Sequence, residues 1–222
     1  MGCLFDKNKR MKIRFFLVVA SLLAVAWLIR PAFAADATVG AKLAEKYKCN
    51  GCHDKSRKRR FPPVPFLAGQ HQRYLVNQLR AFRDGKAKSS GGFKVAERYS
   101  HLMDVPASKL SNKDINNLAS FYSVKQCKTL GDKELAIEEP KAAKACAFCH
   151  GEKGRSPFVY YPKLAGQNMG YLIKQLKLMR ASAKHPIEKN ARFHRTMAAQ
   201  VIGLSDAEIV ALSYYYSKQT CN

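Results

Sequence analysis

One pentapeptide occurs twice in this chain of 222 residues: Cys-Asn-Gly-Cys-His at 49–53 and Cys-Ala-Phe-Cys-His at 146–150. Each has two cysteines three apart with a histidine directly after the second. That spacing reads as attachment of a c-type haem. The thiols of Cys49 and Cys52, and of Cys146 and Cys149, can add to the two vinyl groups of one porphyrin. The imidazole of His53 or His150 can then bind the iron from the proximal side. A zinc site would use the same thiols, but it has no need of a histidine at that offset in both copies. Domains of this size bury little core by themselves, so a covalently held porphyrin would serve as the centre of each.

The repeat extends beyond the pentapeptide. Pro65 to Leu79 aligns with Pro162 to Leu176 with nine identities in fifteen, at the same offset of 97 as the two motifs. Met103 to Cys127 aligns with Met197 to Cys221 at an offset of 94, so the halves differ by one three-residue deletion. A repeat of about 95 residues is one small domain and not a solenoid unit. Two domains are expected, at 35–127 and 128–222, with the polar stretch 128–139 as linker or entry to the second.

Residues 1–34 resemble an export signal. Lys7, Lys9, Arg10, Lys12 and Arg14 form a basic region, Phe15 to Ile29 is an apolar run, and Ala32-Phe33-Ala34 offers a small-x-small cleavage site. An uncleaved anchor helix is the alternative, against which Arg30 ends the apolar run early for a membrane span. Cys3 precedes the apolar run, where a lipoprotein cysteine would follow it, and Met11 is a second candidate start. Removing 1–34 takes six Lys/Arg and one Asp from the chain's 39 and 16, leaving a formal charge of +18. Such a surface suits an acidic protein or anionic lipid. Export argues against nucleic acid, and for most single lysines a solvated face is reading enough.

Each half reads as helical. The first opens with a helix near 38–49, follows with one at about 71–83, and ends with one after Ser111. There Ser111 and Asp114 resemble a capping box, and Ile115, Leu118, Ala119 and Tyr122 recur at helical spacing. The second half mirrors this with Ser205, Glu208, Ile209, Leu212, Ser213 and Tyr216. Its first helix must start or bend at Pro140, only six residues before Cys146. No stretch alternates as a strand would.

Pro65 and Pro162 each lie twelve residues beyond a motif histidine. A carbonyl there can accept from the imidazole N–H, fixing the ring and raising its basicity. Met103 and Met197 are equivalent and come just before the last helix of each half. A thioether from the far side of the haem would complete six-coordination and raise the potential relative to two imidazoles. Most methionines are core residues, and Met169 and Met179 read that way. His101 and His194 compete as ligands, but they are not equivalent across the repeat. With His71 and His185, which have no repeat partner, they read as surface histidines. Six-coordinate irons would leave no open site, which points to electron transfer and away from oxygen or peroxide chemistry.

The order CxxCH, Pro-x-Leu-Ala-Gly-Gln, Tyr-Leu-x-x-Gln-Leu, Met, Leu-Ser-x-x-(Asp/Glu)-Ile, all twice, resembles the dihaem cytochrome c4 family over nearly the whole chain after the leader. The resemblance implies an all-α protein of two tandem class I cytochrome c domains related by an approximate twofold. It also implies a periplasmic electron shuttle between a quinol-oxidising complex and a terminal oxidase, with no small-molecule substrate and no enzymatic activity. By motif the metal ligands are His53 with Met103 and His150 with Met197. The glycine usual after CxxCH is Gly151 in one half but Asp54 in the other. The stretch 55–60 (KSRKRR) is far more basic than the loop typical there, which bears on the docking surface of the first domain. A second function is the electron-accepting subunit of a larger periplasmic dehydrogenase, flavoprotein or sulfur-compound oxidising. A third, catalytic dihaem chain would need a vacant or labile sixth position.

Cys127 and Cys221 bind no haem. They are equivalent in the repeat, complete an even count after the leader, and would reside in an oxidising compartment. A bridge between them is one expectation. An intermolecular disulfide or two free thiols are the others.

Overall fold

A computed structural model describes residues 35–54, 63–84, 89, 90, 93, 94, 98, 100–127, 136–184, 192 and 194–221. The leader, the basic stretch 55–60, His185, the His101 side chain and most of the linker lie outside the described residues. Among the described residues no helix is long and apolar enough to cross a membrane.

The first half holds α1 (Ala37–Lys46), α2 (Asn50–His53), α3 (Gln72–Asp84), α4 (His101–Ser108) and α5 (Asn112–Val124). The second holds α6 (Ala143–His150), a 3-10 turn at Glu152–Gly154, α7 (Met169–Lys184), α8 (Arg195–Val201) and α9 (Asp206–Lys218). The expected first helix at 38–49 is two pieces. It stops at Lys46 because Lys48 takes a left-handed φ of 55°, and the chain re-enters a helix at Asn50. Contrary to the strand-free expectation, Ser89–Ser90 (β1) and Phe93–Lys94 (β2) form a minimal antiparallel pair. Two residues a side is too short to show alternation in a sequence.

The last helix of each half begins as its sequence dictates. Ser111 Oγ accepts from Asp114 N–H at 3.1 Å while the Asp114 carboxylate accepts from Ser111 N–H at 3.1 Å. Ser205 and Glu208 repeat the arrangement at 3.2 and 2.8 Å. A capping box of this kind satisfies donors that the first turn leaves without partners. Helix α5 lies against α1 and α3, and α9 lies against α7. Ile115, Leu118, Ala119 and Tyr122 are buried in the first core with Ala44, Leu75, Val76 and Leu110. Leu212, Tyr215 and Tyr216 fill the second with Ala143 and Leu172. Helix α6 starts just past Pro140, whose carbonyl accepts from Ala143 N–H at 2.8 Å.

The halves are joined covalently and by polar contacts. Cys127 and Cys221 form a disulfide with Cα atoms 6.1 Å apart, which decides among the three fates open to these residues. Beside it, Gly69 and Gly166 both take positive φ, 72° and 65°. Their N–H groups donate to Tyr122 O and Tyr216 O at 2.9 Å each, which ties the Leu-Ala-Gly-Gln turn to the end of the last helix. A Cβ on Gly69 would also press on Cys127 Cβ at 3.0 Å, so both backbone and space ask for glycine there.

Candidate cofactor sites

One turn of helix brings the two thiols and the imidazole of each pentapeptide together. Cys49 caps α2 and His53 ends it, while Cys146, Cys149 and His150 lie on the last turns of α6. These four cysteines take no part in a disulfide, unlike Cys127 and Cys221. Cys49 and Cys146 sit at the edges of the two cores.

His53 and His150 are buried. His53 Nδ1 lies 2.8 Å from Pro65 O, and His150 Nδ1 lies 2.9 Å from Pro162 O. A carbonyl only accepts, so Nδ1 carries the proton in both rings and Nε2 is left as the basic nitrogen. Burial lowers both imidazoles below the usual histidine value, against the proline carbonyls, which raise them. Both are therefore neutral at pH 7, the state in which imidazole binds a metal. Tyr122 OH donates to Asn50 Oδ1 at 2.9 Å, inside the first pentapeptide, and Tyr216 OH reaches Ala143 O at 3.5 Å.

Met103 and Met197 are half-buried and lie on α4 and α8, two short helices that sequence periodicity misses. Pro106 sits inside α4, and α8 has only seven residues. Helix α4 packs on α3, and α8 on α7. Met179 is buried as expected, whereas Met169 is only half-buried at the start of α7. The expectation that His71 is a surface histidine is incorrect. His71 Nε2 lies 2.8 Å from Ser156 O, a contact between the halves. His194 is exposed, and its Nδ1 accepts from Met197 N–H at 3.4 Å, so it caps α8.

A cluster that no sequence motif marks lies between the halves. Arg98 and Arg192 are buried and stand at the offset of 94 that relates the methionines. Arg98 donates to Gln78 and, at 2.7 Å, to Tyr171 OH. Arg192 donates to Gln175 at 2.6 Å, Tyr74 OH at 3.0 Å and Gln78 at 3.1 Å. None of these partners is a carboxylate. Burial pushes the Arg98 guanidinium down, and its charge in turn lowers His53. Two buried cations sharing neutral partners are costly unless an anion joins them. The propionates of a haem are such anions, so the donor set fits the group as well as the thiols and imidazoles do. Among the described residues no cluster of His, Cys, Asp and Glu forms another metal site.

Known proteins fit the same description. The Cytochrome c family model matches residues 37–123 and again 141–219. Cytochrome c4 of Stutzerimonas stutzeri is 31% identical over 214 residues, covering 89% of this chain and 96% of that one. A thiosulfate dehydrogenase electron acceptor of Thiomonas intermedia is 29% identical over 180 residues, covering 74% of this chain and 77% of that one. Among solved structures, reduced recombinant cytochrome c4 from Pseudomonas stutzeri matches with a TM-score of 0.64 at 26% identity, over 84% of this chain and 100% of that chain. The chain thus belongs to the cytochrome c family, as a dihaem electron-transfer protein of the cytochrome c4 kind with two covalent haem c groups.

Proposed function

We propose that the protein carries electrons in the periplasm between a quinol-oxidising respiratory complex and a terminal oxidase, exported by residues 1–34. In this reading Cys49, Cys52, Cys146 and Cys149 hold the two porphyrins by thioether bonds. His53 and Met103 ligate one iron, and His150 and Met197 the other. The domains run over 35–127 and 128–222. Bound haem supplies one-electron redox chemistry. The chain's part is to orient each imidazole through a proline carbonyl and to keep water from the buried guanidinium cluster. The disulfide Cys127–Cys221 holds the two sites at a fixed separation. The observation that carries the proposal is the duplication itself: each pentapeptide has its own buried, carbonyl-supported histidine and its own methionine-bearing helix.

The formal +18 of the chain after the leader favours acidic redox partners and an anionic membrane surface, with encounter steered by charge. In native membranes the purified protein should be reduced by quinol and reoxidised by the oxidase, at rates that fall steeply with salt. Failure to turn over there, or a salt-independent rate, would refute the proposal. The Thiomonas relative favours a second reading, in which the chain accepts electrons from a sulfur-compound dehydrogenase. Stable co-purification with such an enzyme would select it.

A further inference from the structure

The glutamine that ends each Leu-Ala-Gly-Gln motif reaches the opposite half as well as its own, where Gln70 Oε1 accepts from His71 N–H at 3.1 Å and Gln167 Oε1 from Asn168 N–H at 2.8 Å. Gln167 Oε1 accepts from Phe66 N–H at 2.7 Å, and Gln167 Nε2 donates to Phe66 O at 2.9 Å. Gln70 Oε1 accepts from Lys163 N–H at 2.9 Å, and Gln70 Nε2 donates to Lys163 O at 3.0 Å. Both glutamines are buried, so each amide is held against the backbone of the opposite half like an added strand residue.

The peptide groups they hold are not arbitrary. Phe66 N–H belongs to the peptide whose carbonyl is Pro65 O, the acceptor for His53 Nδ1–H. Lys163 N–H belongs to the peptide whose carbonyl is Pro162 O, the acceptor for His150 Nδ1–H. Each histidine therefore donates to one end of a peptide whose other end donates to a glutamine across the interface. Hydrogen bonds in such a chain polarise one another. Drawing on the N–H strengthens the carbonyl as acceptor, which makes the imidazole more basic and a better donor to ferric iron.

We infer that Gln70 and Gln167 are positioning residues that each set the proximal histidine of the opposite half, so that the reduction potential of each haem depends on the other domain. The inference rests on His53 and His150 being the proximal ligands. It deepens that reading by giving the two-domain chain a function that two separate domains could not perform.

The test is a redox titration of the holoprotein followed by NMR, with the hyperfine-shifted signals assigned to each haem by the set that Met103→Ala alters. Gln167→Ala should raise the potential of the His53 haem and leave the His150 haem nearly unchanged. Gln70→Ala should do the mirror image. Gln167→Glu keeps an acceptor oxygen and makes it anionic, so it should lower the His53 haem instead. That variant also reads the effect if the alanine variants do not assemble. Equal movement of both potentials, movement only of the haem in the substituted half, or no movement would overturn the inference. Absence of two low-spin, histidine-ligated haems in the wild type would overturn the ligand reading beneath it, before any glutamine is changed.

Discussion

The two halves keep the same hydrogen bonds and differ in how their helices pack. Histidine to proline, glycine to tyrosine, glutamine to the opposite half and serine to its capping box all occur in both, with distances that agree within 0.3 Å. The opening helices do not agree. Helix α1 is capped by Asp36, whose carboxylate accepts from Thr38 N–H at 2.7 Å, and it crosses α5 so closely that a Cβ on Gly40 would lie 2.0 Å from Asn117 O. Helix α6 is shorter, lacks a side-chain cap and meets α9 through Ala143 and Tyr216. The second half has polar ties of its own: Arg155 Nε to Thr220 O at 3.0 Å, and Asp206 bonded to both Lys177 and Arg180. The difference teaches which features the cofactor site demands. The hydrogen bonds around each histidine, turn and cap are held fixed, whereas the helix packing differs.

Removing what joins the halves should have the largest effect. Cys127→Ser with Cys221→Ser opens a link between residues 94 apart. On the chain-entropy model this costs about 4–5 kcal/mol. Thermal unfolding of the variant should split into two transitions where the wild type shows one, and a single unshifted transition would mean the bridge adds nothing.

Gly40→Ala should come next, at about 2–3 kcal/mol, because the added methyl must push α1 away from α5. The loss should fall on the first half alone. Gly203→Ala, where nothing lies within 4 Å, is the control in the second half and should leave stability unchanged or slightly raised. Equal destabilisation by the two would contradict the contrast in packing.

The capping boxes should show the halves behaving alike. Ser111→Ala and Ser205→Ala are each expected to cost about 1 kcal/mol, read by denaturant unfolding. A large inequality between them would show that the shared hydrogen bonds do unequal work.

The smallest effect belongs to Asp206, which is exposed. Its bonds to Lys177 and Arg180 hold the carboxyl below its ordinary value. A lowered folded value stabilises the protein above the unfolded value and is lost as pH falls through the folded one. Asp206→Asn should therefore cost a little stability at neutral pH, weakly and less so in high salt, and nothing at acid pH. A difference that persists in acid would assign the effect to something other than charge.

Much of this is readable in the sequence. The pentapeptides, the prolines twelve residues on, the capping boxes and the buried faces of α5 and α9 follow from short-range spacing, which a sequence displays directly. Duplication made the methionines and the Cys127–Cys221 pair candidates, but the bridge between the cysteines depended on how two halves meet. Helices α4 and α8 escaped notice because a proline and a length of seven or eight residues hide their periodicity. Gln70, Gln167, Arg98 and Arg192 were repeated in plain sight. Each looks like ordinary interior or surface filling until the opposite half is brought against it, because every partner that gives it meaning is remote in sequence.

The central claim is that each half ligates its haem iron with its own histidine and its own methionine. The ferric absorption spectrum tests this most directly, through the weak far-red band that thioether ligation produces. The wild type should show the band at an intensity fitting two such haems, with Met103→Ala and Met197→Ala each losing half of it and the double variant losing it all. A wild type without the band, or either single variant retaining its full intensity, would contradict the account.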